Sequence, residues 1–251
     1  MGRTPSVLTP RVAGFAALAT ALGLYYGFHE SLWRMSLWWT IAFLALILIP
    51  AVFGLVYFAL PLWRSSVRQL VMLAGALIAL AVVLEATGAS AIGDFAKLGA
   101  MTAIGWIFLR YFEEASWVVL VAFIVPWVDA YSVWRGPTHE IVNERPHVFS
   151  ALSFAFPVPG TNDSAKLGLP DLLFFALFLG SAARFHLRVP WTWLCLTASI
   201  GGTIALATLF DVGGLPALPL IALGFLLPNA DLLWVAVRKS RSARDRRQSP
   251  S

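Results

Sequence analysis

The stretch K-L-G-L-P-D-L-L-F-F-A-L-F-L-G, residues 166–180, places one carboxylate at the start of a continuous apolar run. Gly168 and Pro170, residue types that loosen or interrupt helices, lead into Asp171. A charged side chain at the centre of a membrane helix costs about 2.5–3.5 kcal/mol on insertion scales. If this run lies in a membrane, Asp171 needs a chemical or structural role.

The whole chain has the composition of an integral membrane protein. Hydrophobic residues make up 59% of its 251 residues and charged residues only 12%, with a mean hydropathy of +0.77, whereas soluble domains carry about 25% charged residues. The apolar blocks are long enough to cross a core of about 30 Å and lack the alternation of a membrane barrel. The sequence predicts an all-α fold, a polytopic transmembrane helical bundle with spans near 12–28, 37–63, 67–86, 96–112, 115–134, 168–185, 189–211 and 214–236.

These eight predicted spans divide the chain into three regions. Residues 1–114 hold about four spans, residues 115–236 hold the unusual polar residues, and residues 237–251 form a basic tail that we expect to be disordered. Most of the 18 Lys and Arg residues then fall on one side of the membrane. The positive-inside rule predicts a multi-pass protein of the cell membrane with both termini in the cytoplasm. The expected partner of the tail is the lipid bilayer, not nucleic acid.

Two of the 13 acidic residues fall within predicted spans without an obvious reason. Asp129 lies late in the fifth span and Asp171 opens the sixth, and neither has a Lys or Arg at matching depth. The two side chains are therefore expected to face each other. Adjacent carboxylates share one proton, as in aspartic proteases. Two other roles stay open from these two residues alone. One is a cation or proton pathway, and the other is hydrogen bonding to backbone freed by Pro126 or Pro170.

The last predicted span begins irregularly. Its first residues are D-V-G-G-L-P-A-L-P-L-I, 211–221, with Pro216 and Pro219 behind a glycine pair. Such a segment leaves backbone groups without helical partners, which at membrane depth is tolerated only inside protein or beside a watery cavity. The segment is either part of a site or a turn between two spans.

In this order, the three elements resemble the presenilin and signal peptide peptidase family of GxGD intramembrane aspartyl proteases, in a prokaryotic-type form. That family has Tyr-Asp in one span, Gly-x-Gly-Asp in the next and Pro-Ala-Leu at the start of the last. Here Asp129 lies in V-D-A-Y-S-V, Asp171 in K-L-G-L-P-D-L-L-F-F, and Pro216–Leu218 in L-P-A-L-P. The segment R-G-P-T-H-E-I-V-N-E-R-P-H-V-F-S-A-L also resembles the presenilin stretch after the first Asp. The likeness covers residues 115–225.

The resemblance implies a presenilin-like bundle that hydrolyses transmembrane peptides with Asp129 and Asp171 as catalytic residues. The sequence does not indicate an obligate protein partner. The residues that it implies as lining the site are Gly168, Leu169, Pro170, Leu215, Pro216, Ala217 and Leu218. Val128 stands where the family has Tyr, Pro170 where it has Gly, and four predicted spans precede the first Asp where the family has five. A non-catalytic relative that binds membrane helices is one alternative function, and a proton- or cation-coupled transporter using the same Asp pair is another.

A cofactor is not expected, because the sequence has no phosphate loop or dinucleotide fingerprint and its histidines lack metal-ligand spacing. A protease of membrane helices must unwind its substrate and give the freed backbone new partners. We expect the substrate to add as a strand beside Val148–Pro159, which is rich in β-forming residues, or beside Leu215–Pro219. The alternative for the first segment is an amphipathic lid. Residues 160–164, G-T-N-D-S, are predicted to form a turn.

Overall fold

The computed structural model of the chain describes residues 8–135, 151–210 and 215–238. These residues form eight long helices and one two-stranded sheet. The helices are α1 Leu8–Phe28, α2 Leu37–Arg64, α3 Val67–Ala86, α4 Ser90–Leu109, α5 Ala115–Arg135, α6 Leu169–Arg184, α7 Val189–Leu209 and α8 Leu218–Arg238, and the strands are β1 Ser153–Pro157 and β2 Ser164–Gly168.

The predicted helical membrane bundle is confirmed. Seven of the described helices, all except α6, are long and apolar enough to cross a membrane. The predicted span 168–185 corresponds to α6, which has 16 residues. At 1.5 Å per residue this helix is about 24 Å long, shorter than a hydrocarbon core of about 30 Å. That α6 is itself a span, giving eight, therefore stays a prediction.

α6 forms the centre of the bundle. Its packing partners include α2, α4, α5, α7 and α8. The Phe175 ring packs 4.1 Å, between centroids, from Phe53 of α2, and the Phe178 ring stacks at 4.8 Å on Phe225 of α8. The fully buried side chains of α6 include Leu172, Phe175, Leu177, Phe178 and Leu179. A helix enclosed in this way is surrounded by protein, so it does not need the length of a lipid-facing span.

α2 is irregular close to Pro50. Residues Leu44–Leu48 form a π-helical segment just before the proline. Proline lacks an N–H and its ring clashes with the carbonyl four residues earlier, so a wider turn accommodates it without ending the helix. α2 thus continues through Pro50 by means of a π-helical segment.

α4 corrects the predicted fourth span. The span was predicted over 96–112, but the helix runs from Ser90 to Leu109. The prediction was wrong because Asp94 and Lys97 lower the hydropathy of the first turns. In the structure these two side chains are buried and form an ion pair, with 3.0 Å between Nζ of Lys97 and Oδ1 of Asp94. They lie three residues apart on one helix face, so the helix continues through them.

An antiparallel hairpin precedes α6, which the all-α prediction did not include. β1 and β2 pair from Ser153 with Gly168 to Pro157 with Ser164. The connection is the predicted turn, and Gly160 within it has a positive φ of 71°. A Cβ at Gly160 would lie 2.6 Å from the carbonyl oxygen of Leu32, so both the conformation and the space require glycine.

The hairpin is built into the bundle. Tyr26 of α1 donates a hydrogen bond to the Ala155 carbonyl at 2.9 Å, and Tyr25 donates one to the Pro157 carbonyl at 2.7 Å. The buried hairpin side chains include Phe154, Phe156 and Leu167. An amphipathic lid would expose one face to solvent or lipid headgroups, and β1 does not.

Several predictions lie outside the described residues. They concern the basic tail beyond residue 238, the glycine pair at 213–214, the histidines at 139 and 147, and the start of the β-rich segment at 148–150.

α4 and α6 approach each other closely at Gly105. A Cβ at this position would lie 2.6 Å from the Leu173 carbonyl oxygen and 3.1 Å from the Leu177 nitrogen. Small residues at such contacts let membrane helices pack backbone to backbone.

We expect Gly105→Ala to destabilise the protein by about 1–3 kcal/mol, because the added methyl group meets rigid backbone. Thermal unfolding in detergent measures the loss. Gly75→Ala in α3 is the matched control, since a Cβ there has nothing within 4 Å. Equal unfolding temperatures for the two variants would contradict this description of the α4–α6 contact.

Candidate active site

Asp171 lies in the first turn of α6, within the enclosed part of the bundle. The chain reaches it through Gly168, which has the extended conformation φ −63°, ψ 147°, and Pro170 occupies the first turn. Proline is tolerated there because the first N–H groups of a helix have no intrahelical acceptor. The Asp171 residue is only 9% exposed. A Cβ added at Gly168 would lie 3.3 Å from Oδ2 of Asp171, so the absence of a side chain at residue 168 leaves room for this carboxylate.

Asp129 is held differently. It is partly buried on α5, and its Oδ2 accepts a hydrogen bond of 3.0 Å from the backbone N–H of Leu218. Leu218 is the first residue of α8 and is 4% exposed, so its N–H has no access to bulk water. The Asp129 side chain therefore provides the partner that the irregular start of α8 lacks.

The three sequence elements meet through these contacts. α5 packs against both α6 and α8, and the Asp129 carboxylate is close enough to act electrostatically on that of Asp171. Residues 215–217 precede α8 without helical structure, as the two prolines predicted. Among the described residues, the ion pairs are Lys97–Glu85, Lys97–Asp94 and Arg188–Asp231, and none involves Asp129 or Asp171.

The other predicted site residues surround this centre at different depths. Ala217 is buried, whereas Leu169, Leu215 and Pro216 are partly buried. Pro170 is exposed although it adjoins Asp171. The structure thus joins Asp129 to Leu218 by a hydrogen bond, packs the helices of Asp129 and Asp171 against each other, and leaves Pro170 exposed.

The sequence reasoning missed a second polar cluster, formed by Glu85, Asp94 and Lys97. The predicted spans 67–86 and 96–112 put Glu85 and Asp94 on either side of a short connection. The signal in the sequence was the three-residue spacing of the opposite charges Asp94 and Lys97, which follow the acidic Glu85 at the end of α3. Lys97 lies between both carboxylates, with Nζ 3.2 Å from Oε2 of Glu85.

A cavity of about 720 Å³ lies among α1, α2, α3 and α4, and neither Asp129 nor Asp171 lines it. Its walls include Phe15, Leu55, Leu77, Phe95 and Leu98.

In the part of the chain that the structure describes, no group of three or more His, Cys, Asp or Glu side chains is placed to hold a metal ion. The polar groups described at the candidate site are the carboxylates of Asp129 and Asp171 and the backbone N–H of Leu218.

The fold and the site define a polytopic helical membrane protein with two aspartates, Asp129 and Asp171, on helices that pack against each other. Scans against models of known protein families and against curated proteins find no match for this chain.

The bond between Asp129 and Leu218 can be tested without an activity. Asp129→Ala removes the acceptor of a shielded N–H, which costs about 1–3 kcal/mol. Asp129→Asn keeps an oxygen that accepts the same bond, so its unfolding temperature should stay closer to that of the wild type. Thermal unfolding in detergent compares the two, with Asp163→Ala in the exposed hairpin turn as the control. Equal losses for Ala and Asn at position 129 would refute the proposed role of the acceptor.

Proposed function

We propose that the protein is an intramembrane aspartyl protease that hydrolyses peptide bonds in transmembrane segments with Asp129 and Asp171. The observation that carries the proposal is the convergence of three elements distant in sequence. Asp129 accepts a hydrogen bond of 3.0 Å from the first residue of α8, and its helix packs against α6, where its charge acts on Asp171. The same three elements carry the resemblance to the presenilin and signal peptide peptidase family.

The chemistry follows from two carboxylates that share one proton. The ionised carboxylate removes a proton from water, and the resulting hydroxide adds to the scissile carbonyl carbon. The protonated carboxylate transfers its proton to the carbonyl oxygen, which gives a neutral tetrahedral diol. Collapse of this diol breaks the C–N bond. The leaving nitrogen takes up a proton from the first carboxyl group, and one diol hydroxyl returns its proton to the second carboxylate, so that a carboxylic acid and an amine are released. The pair ends with one proton, as it began.

Substrate binding requires a backbone partner for the unwound segment. β1 is already bonded on both edges: β2 pairs with one, and side chains including those of Tyr25 and Tyr26 occupy the other. The hypothesis that a substrate strand adds beside 148–159 is therefore disfavoured. Residues 215–217 have no helical structure and lead directly into the residue that Asp129 holds. We favour this segment as the partner of the substrate backbone.

The departures from the family pattern do not obstruct the proposed site. Val128 is 61% exposed, so its side chain points away from the bundle interior. Pro170 is likewise exposed and fits the first helical turn. Neither side chain occupies the space between the two carboxylates, which supports a catalytic over a non-catalytic relative.

Reconstitution in liposomes with a transmembrane peptide tests the activity. We expect cleavage by the wild type and a loss of at least about 10³-fold in kcat for Asp129→Asn and for Asp171→Asn, because each carboxylate has a separate proton-transfer role. Asp163→Asn, the same change in the exposed loop between them, should cleave like the wild type.

Three results contradict the proposal. Cleavage that persists in either aspartate variant removes that residue from the mechanism. Absence of cleavage across a panel of peptides, with binding retained, indicates a helix-binding protein. Proton or cation flux that the same variants abolish, without peptide cleavage, indicates a transporter.

The two departures give a further prediction. We expect Pro170→Gly and Val128→Tyr to leave kcat within about threefold of the wild-type value, because both side chains point outward. The same peptide assay measures them. A gain of about tenfold or more for either variant would show that the departure limits the enzyme, contrary to the outward orientation.

A further inference from the structure

Asp94 and Lys97 form a buried ion pair that the proposed chemistry does not use. They are 5% and 8% exposed, and they face away from lipid on the inner side of α4. Lys97 Nζ lies 3.0 Å from Oδ1 of Asp94 and 3.2 Å from Oε2 of Glu85, at the end of α3. Burying charge is costly, so the arrangement calls for a function beyond packing.

Both members of the pair contact the backbone of β1. The second oxygen of Asp94, Oδ2, accepts a hydrogen bond of 3.0 Å from the N–H of Ala155. Lys97 Nζ donates to the Ser153 carbonyl at 3.4 Å. These are groups on the edge of β1 that β2 does not pair with. The pair therefore fixes the strand by its backbone, independently of which side chains the strand carries.

Charge-assisted hydrogen bonds hold a backbone more firmly than neutral ones. The neighbouring carbonyl positions, Ala155 and Pro157, are bonded by the neutral hydroxyls of Tyr26 and Tyr25. The charged contacts lie at Ser153, which pairs with Gly168, and at Ala155, the middle residue of β1. They thus hold the half of β1 that is nearest to α6.

A short path leads from this anchor to Asp171. Ser153 pairs with Gly168, and the N–H of Leu169 donates to the Leu152 carbonyl at 3.1 Å. Asp171 follows two residues later in the first turn of α6. α4 also packs directly on α6 at Gly105. One helix therefore holds both the body of α6 and the strand that leads into it.

We propose that Asp94 and Lys97 are positioning residues, which clamp the β1–β2 hairpin so that the start of α6 presents Asp171 to Asp129. This inference rests on the proposed proteolytic function for its catalytic consequence. Its structural part, the clamping of the hairpin, stands on the hydrogen bonds alone.

The experiment compares four variants of the full chain in detergent and in liposomes. Asp94→Ala leaves Lys97 with a buried charge, so the double variant Asp94→Ala/Lys97→Met removes both charges together. Asp94→Asn keeps an oxygen acceptor for the Ala155 N–H. The matched control removes the exposed ion pair of Arg188 with Asp231, Arg188→Met/Asp231→Ala, which lies on α8 and the turn before α7.

Hydrogen–deuterium exchange measures how often the hairpin opens, and it needs no substrate. We expect residues 153–168 to exchange about tenfold faster in the Asp94→Ala/Lys97→Met variant, because local opening no longer breaks the charged bonds. α7, Val189–Leu209, should exchange at the wild-type rate, which separates loss of the clamp from general destabilisation. Asp94→Asn should show a smaller increase, and the control variant none.

The rate of peptide cleavage measures the effect of the clamp on the position of Asp171. We expect kcat to fall about tenfold or more in the double variant, since small misplacement of a reacting group costs rate, while KM changes by less than about threefold. Wild-type exchange of residues 153–168 in the double variant would overturn the inference, and so would a loosened hairpin with unchanged kcat. If the wild type cleaves no peptide, the proposed function fails, while the exchange rates still decide whether the pair clamps the hairpin.

Discussion

The described bundle depends on one constraint, that backbone N–H and C=O groups shielded from water must be hydrogen-bonded. The chain departs from helix inside the bundle at β1 and at the residues before α8. At both places a carboxylate of a neighbouring helix accepts a backbone N–H: Asp94 takes that of Ala155, and Asp129 takes that of Leu218, each at 3.0 Å. Without these acceptors, each irregular segment would carry an unsatisfied donor. The non-helical backbone therefore requires the buried carboxylates, and the carboxylates in turn gain a hydrogen-bond donor from that backbone.

The two carboxylates differ in their other neighbours, and this difference bears on function. Asp94 has the ammonium of Lys97 at 3.0 Å, so its negative charge is neutralised. Asp129 has no ion-pair partner among the described residues, and its charge acts on a second carboxylate, Asp171. Capping of the α8 backbone explains Asp129 taken alone, although the bonded N–H is that of Leu218 and not the predicted backbone freed by Pro126 or Pro170. It does not explain why a second carboxylate is buried on α6, and the proposed function accounts for both groups through a shared proton.

Much of the bundle could be predicted from the sequence, because apolar blocks bounded by Arg, Ser and Pro define helices directly. The predicted span 67–86 matches α3 in full, and the two prolines correctly indicated the irregular residues 215–217. The start of α4 was predicted too late, because a hydropathy average counts Asp94 and Lys97 as two separate unfavourable charges. On a helix, their three-residue spacing lets the two charges neutralise each other. β1 lies within the segment 148–159 that is rich in β-forming residues, but β2, S-A-K-L-G, has no strand pattern of its own and exists through its pairing with β1.

For the site, the sequence predicts that Asp129 and Asp171 face each other. It does not predict the hydrogen bond from the Leu218 N–H to Asp129, because that bond depends on the packing of α8 on α5.

The short length of α6 gives the hairpin its significance. A helix of 16 residues spans about 24 Å, less than a hydrocarbon core of about 30 Å, so its first turn does not need to reach the membrane surface. The missing length is supplied by β2, an extended strand that is hydrogen-bonded to β1. The other edge of β1 is bonded by the side chains of Tyr25, Tyr26, Asp94 and Lys97. A carboxylate at the end of a longer helix would lie among lipid headgroups, and one in the middle of a helix would be surrounded by side chains of its own turns. Placed at the start of a short, enclosed helix, Asp171 is shielded from lipid while the backbone leading to it stays non-helical, and the proposed hydrolysis within a membrane depends on this combination.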